Sequence, residues 1–104
     1  MRNKVNVGAI MISCKILINN ELPNWMYREE PIEYPDSGWR VFSGSEDEEY
    51  LENPSNFKVI STAQLIEIDS EIIVNLCAPI GWSFERNMAS NEWLPVDKGD
   101  FTHN

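Results

Sequence analysis

Positive charge is scarce in this sequence: eight lysines and arginines stand against seventeen aspartates and glutamates, a formal charge of −9 at pH 7. A field of that sign repels nucleic acid phosphates and anionic membranes and speeds encounter with cationic surfaces, so neither nucleic acid nor membrane is an expected partner. Histidine is nearly missing. The single one, His103, is next to the last residue, where termini rarely hold a fixed geometry, so a Ser/His or Cys/His nucleophile has no base. Cysteine is limited to Cys14 and Cys77, which lie among isoleucines and leucines with no C-x-x-C spacing. Both are expected as reduced, buried thiols of a cytosolic protein, a disulfide closing the long loop between them being the other arrangement they allow. Long apolar runs are absent too. The stretch 7–18 is too short to span a bilayer and carries Ser13 and Lys15, and no leader pattern opens the chain, so the expected location is the cytoplasm.

What is present is ordinary core material. Hydrophobic residues make up 42% of the 104 and aromatics 11%, which decides against disorder despite the charge. A chain of this length buries roughly 60 to 65% of its unfolded surface and needs no staple. No repeat, linker or low-complexity tract divides it, so one domain is expected over residues 1–104, with its core at about 7–96 and a polar tail at 97–104.

The densest negative charge falls in 36–53, around which the rest is organised. Asp36-Ser37-Gly38 is a turn signal, and Trp39-Arg40-Val41-Phe42 suits a short, half-buried strand. Ser43-Gly44 breaks it, and Ser45 with Glu48 matches a capping box, predicting a helix over about 46–53 that Pro54 ends. Stepping 100° per residue puts Tyr50 and Leu51 on one side and Glu48, Glu49 and Glu52 on the other, with Glu46 at the edge. No lysine or arginine lies between Val41 and Phe57 to offset them. Such a run is either a solvated helix face or a negative surface kept for a basic partner.

The remaining pattern mixes strands with short helices. Residues 7–13 are apolar on both faces, as in a central strand, and 14–20 fit a turn or a short helix. Residues 25–28 form a strand and 29–35, with two prolines, an extended connection. A turn at 53–56 leads to a strand at 57–60. Ser61 and Gln64 box the start of a helix over 62–68, and Asp69 caps a further one over about 70–76. Residues 82–86 and 93–96 make a terminal hairpin. The fold class is α+β, a mainly antiparallel sheet with two or three short helices.

Chemistry-bearing constellations are few. A calcium loop needs ligands at alternating positions with glycine at the sixth, whereas Glu46, Asp47, Glu48, Glu49 and Glu52 are consecutive on a predicted helix and diverge. No metal and no cofactor is expected. Nothing selects an acid–base pair among the carboxylates, so no catalytic residue is assigned and an enzyme is not expected. Arg28 and Arg40 either pair with Asp36, Asp47 or Glu29 to orient the acidic helix or face a partner, where arginine and tryptophan supply strong contacts. Of Trp25, Trp39, Trp82 and Trp93, two or three belong to the core and one is exposed enough to anchor an interface.

Taken in order, Trp25-Met26-Tyr27-Arg28-Glu29-Glu30, Asp36-Ser37-Gly38-Trp39-Arg40-Val41-Phe42-Ser43-Gly44, Glu49-Tyr50-Leu51, Asn53-Pro54-Ser55-Asn56, Asp69-Ser70-Glu71-Ile72-Ile73 and Ala78-Pro79-Ile80-Gly81 through Phe84-Glu85-Arg86 resemble the bacterial immunity protein 33 domain family. The likeness covers about residues 7–96. Val74 stands where relatives usually have proline, and Trp82 where a small residue is expected. The resemblance implies a small cytosolic antidote that neutralises a polymorphic toxin, with no catalytic residue and no cofactor. The expected function is a non-enzymatic immunity protein whose partner-binding residues are Glu46, Glu48, Glu49, Glu52, Trp25, Arg28, Trp39 and Arg40. The alternative is a small-molecule or peptide-binding accessory domain with a pocket near Trp25, Tyr27 and Trp39. The expected partner is a cognate toxin with a basic surface, of an identity the sequence does not specify, and the oligomeric state is not written in the sequence.

Overall fold

A computed structural model describes residues 5–96, so the tail expected at 97–104, with His103, lies outside the described residues. The strands are β1 (Ala9–Ser13), β2 (Trp25–Arg28), β3 (Asp36–Phe42), β4 (Phe57–Ile60), β5 (Ser83–Arg86) and β6 (Trp93–Pro95). Three short α-helices, α1 (Cys14–Leu17), α2 (Glu48–Leu51) and α3 (Thr62–Ile68), join them, with 3-10 turns at Pro54–Asn56 and Ser70–Asn75. The sheet order is β4-β1-β3-β2-β5-β6, antiparallel throughout except where β1 runs parallel to β3. The fold is α+β with a mainly antiparallel open sheet.

Side chains alternate across a strand, so each strand divides its residues between the two faces. One face gathers Ile10, Ile12, Met26, Trp39, Val41, Ile60 and Phe84; with Ile16 of α1 also in the core, Leu65, Ile72 and Leu76 pack onto that face. Those three come from α3 and the Ser70–Asn75 turn with its C-cap, whose starts follow the local code. Ser61 Oγ accepts from the Gln64 N–H at 3.0 Å, and the Gln64 side chain accepts from the Ser61 N–H at 2.8 Å, which satisfies two otherwise orphaned donors. Asp69 likewise accepts from the Glu71 N–H.

Three expectations are corrected. Asp36-Ser37-Gly38 is the first half of β3 rather than a turn. Gly38 has φ +91°, and a Cβ there would run into the Glu29 carbonyl oxygen, so the glycine permits a close approach that continues the β2–β3 pairing through Glu29 N–H to Gly38 O at 2.9 Å. The acidic helix is shorter than expected and is capped by Asp47, which accepts from the Tyr50 N–H at 2.8 Å. Ser45 is engaged elsewhere: its hydroxyl donates to Glu21 and accepts from Lys15 Nζ. Glu46 folds back instead of starting a helical turn, taking the Ser43 N–H at 2.9 Å and the Gly44 N–H at 3.0 Å. Both cysteines are free, but Cys77 is exposed, because it follows the last inward residue, Leu76, and turns outward; Cys14 is half-buried.

Candidate functional site: the open face of the sheet

The second face of the sheet carries the other half of the alternation. Met11 from β1, Trp25 and Tyr27 from β2, Arg40 and Phe42 from β3, Phe57 and Val59 from β4 and Glu85 from β5 line a groove of about 1090 Å3, closed at one end by Leu51 and Pro54. Its aromatic residues form a continuous row. Ring centroids are 6.4 Å apart for Trp25 and Tyr27, 5.7 Å for the stacked Tyr27 and Phe42, 5.9 Å for the edge-on Phe42 and Phe57, and 5.9 Å for Phe57 and Tyr50. Phe42 and Phe57 meet although β1 lies between their strands. The register explains this: Ser13 is opposite Phe57 and follows Ile12, the partner of Val41, so a small residue occupies the row between the two rings.

Arg40 sits in the floor of the groove with its side chain 3% exposed. Its guanidinium donates to both Asp36 oxygens at 2.9 and 3.0 Å and to Glu29 Oε2 at 2.7 Å. The fork geometry of arginine suits this two-carboxylate clamp. Hydrogen bonding from Arg40, joined by the Ile32 and Gly38 N–H groups, holds the Asp36 carboxyl far below the usual carboxylate range against the opposing effect of burial. The Asp36 hydrogen bond in turn raises the arginine further above its ordinary value. Burial, with the Glu29 charge beside it, pushes the Tyr27 phenol up. Burial also opposes the charge of Glu46, but hydrogen bonds from the Ser13 hydroxyl and from the backbone at Ser43, Glu46 and Gly44 outweigh it and lower its pKa.

The structure separates the residues singled out in the sequence. Trp25 and Arg40 share the groove, Glu46 forms part of its wall, and Glu48 and Glu49 of α2 stand exposed at its end with Glu52, the C-cap of that helix. Trp39 and Arg28 are on the opposite face. Trp39 is wholly buried, its indole N–H donating to Leu76 O at 3.1 Å. Arg28 Nε donates to Ser37 O at 3.0 Å and its Nη1 to Ala78 O at 2.8 Å, with the guanidinium 5.6 Å from the Trp39 ring. The expected pocket of Trp25, Tyr27 and Trp39 therefore does not form: Arg28 is the register partner of Trp39, so Tyr27, one residue away, points to the other side. Arg40 makes the expected pairing with Asp36 and Glu29, but neither arginine pairs with a carboxylate of the acidic helix. The remaining ion pair joins Arg86 to Asp69, so Glu48, Glu49 and Glu52 have no ion-pair partner among the described residues.

Sequence reasoning did not single out Phe42, Phe57, Met11, Val59 or Glu85 as site residues. Their signal was period two: Phe42 shares parity with Arg40, and Phe57 with Val59. Among the described residues no cluster of His, Cys, Asp and Glu is placed to hold a metal, and no helix is long and apolar enough to cross a membrane.

The helices thus cover one face of the sheet and leave the other open, aromatic in its floor and acidic at its rim. The sequence matches the immunity protein Imm33 domain over residues 10–97, and the chain belongs to that family, whose general role is toxin immunity. No curated protein and no solved structure matches it.

Proposed function

We propose that this chain neutralises a cognate bacterial toxin by binding it in the cytoplasm, with no chemistry of its own. The observation that carries the reading is the side-by-side placement of an uncovered aromatic groove and the exposed, unpaired carboxylates of α2. The carboxylates draw in a basic toxin surface, since complementary charge acts on encounter rate and partner choice, and the apolar floor supplies the area that holds it. Bound there, the protein blocks the toxin by occlusion.

The test is co-production with the toxin encoded beside its gene. Protection of growth should require at least one immunity protein per toxin, and the two should co-elute as a complex. Full protection at a small fraction of the toxin's concentration, with no complex, would contradict binding and point to an enzyme. The volume of the groove supports a second reading, an accessory domain that takes a small molecule or peptide. That reading expects growth to be unprotected while a metabolite or peptide library raises the melting temperature.

A further inference from the structure

Within the described residues three cations lie over aromatic rings: Lys15 Nζ at 5.1 Å from Tyr50, Arg28 over Trp39, and Arg86 at 4.5 Å from Trp93. The aromatic row of the open face thus has a cation over a ring at its α2 end, whereas at its β2 end no cation of the described residues lies over a ring, the adjacent Arg40 being turned to its carboxylates. There, Trp25 and Tyr27 stand half-buried, and neither the Trp25 indole N–H nor the Tyr27 hydroxyl makes a hydrogen bond among the described residues, whereas the indoles of Trp39 and Trp93 both do. Carboxylates flank this end. Glu85 is exposed and directly opposite Trp25 in the β2–β5 register, and Glu29, whose side chain is half exposed, keeps one oxygen beyond its bond to Arg40. The arginines lining the groove are already committed, Arg40 to Asp36 and Glu29 and Arg86 to Asp69, which leaves Lys58, on the far edge strand, as the only unpaired cation in its described lining.

We infer that the β2 end of the groove receives an arginine or lysine side chain presented by a basic loop of the toxin. The cationic head lies over the negative faces of Trp25 and Tyr27, and its N–H groups reach Glu85 and Glu29. This rests on the toxin-binding reading and adds where the contact is made and by what chemistry. An anionic or purely apolar occupant would leave those carboxylates facing it uncompensated. A loop, rather than an isolated cation, is indicated because the groove extends beyond one side chain to the apolar floor of Met11, Phe42 and Val59. The acids of α2 then govern approach, and the β2 end governs residence.

Two measurements test this. In the first, wild type, Trp25→Ala, Glu85→Arg and the triple variant Glu48→Lys/Glu49→Lys/Glu52→Lys are assayed for association and dissociation with the adjacent-gene toxin. Trp25→Ala and Glu85→Arg should each raise the dissociation rate about tenfold while changing association by less than about threefold, whereas the triple variant should act mainly on association. Glu85 is exposed, so its variant remains informative if Trp25→Ala fails to fold. In the second, an arginine-rich nonapeptide is titrated into the protein alone and followed by amide and indole NMR shifts. Shifts centred on Trp25, Tyr27 and Glu85 that vanish when citrulline replaces arginine support the inference. Unchanged dissociation in both variants, shifts centred elsewhere, or self-association of the protein through the same residues would overturn it. Wild type failing to bind the toxin would overturn the toxin-binding reading, and the peptide titration would still decide the chemistry of the groove.

Discussion

Arg40 is the most constrained residue of the open face, and its charge is answered by two carboxylates of the same chain. Replacing Asp36 with Asn strips the two-oxygen carboxylate partner from a nearly buried guanidinium while Glu29 remains, so we expect a loss of about 3 kcal/mol, the low end for breaking a buried pair, measured by urea unfolding at pH 7. The Asp36 carboxyl is held below its ordinary 3.8, so its contribution is present above that value and is lost as pH falls towards its depressed folded-state value. The stability gap between wild type and Asp36→Asn should therefore be constant above about pH 5 and narrow steadily in more acid solution. Gly38→Ala offers a second check. With φ at +91° and the Glu29 carbonyl in the way, alanine should destabilise by more than about 1 kcal/mol, visible as a lower unfolding midpoint. At this scale the sequence was legible where parity alone decides. Period two puts Trp25 and Tyr27 on one side of β2, but deciding whether Trp39 joined them required the β2–β3 register, which pairs Trp39 with Arg28.

Among the elements, those with self-contained local signals matched expectation. The Ser61/Gln64 box starts α3 where the sequence placed it, and both β2 and β4 keep the expected bounds. Ser61→Ala should cost about 1 kcal/mol, and since Ser61 is exposed the loss should come from the cap rather than from core packing. The acidic segment departed because two caps competed. Ser45 and Glu48 fit the box spacing, yet Ser45 is drawn off by Glu21 and Lys15, which are distant in sequence, and Asp47 takes over the cap. Tertiary contact overrode a local motif. The result is a single-turn helix whose three exposed acids make no ion pair among the described residues, which the charge pattern alone had left open.

The whole molecule is a sheet in which the parallel β1–β3 pair lies inside the sheet next to the β4 edge and the covering helices go to one face only. The α+β class was legible from the mixture of strand and helix signals. The strand order was not, because β1 and β3 are joined through β2 and nothing local specifies that they pair. The groove was hidden for the same reason: its row of rings is assembled from β2, β3, β4 and α2, and exists only once the order places Ser13 between Phe42 and Phe57. For the molecule as a whole, the proposed toxin binding requires net negative charge to remain unbalanced beside an apolar floor. The association rate with the adjacent-gene toxin, measured by stopped flow from low to high ionic strength, tests that dependence. The rate should fall about tenfold or more between 50 and 500 mM salt for wild type, and the Glu48→Lys/Glu49→Lys/Glu52→Lys protein should start slower and show a much flatter dependence. A wild-type rate indifferent to salt, or a triple variant that associates as fast as wild type at low salt, would contradict the account.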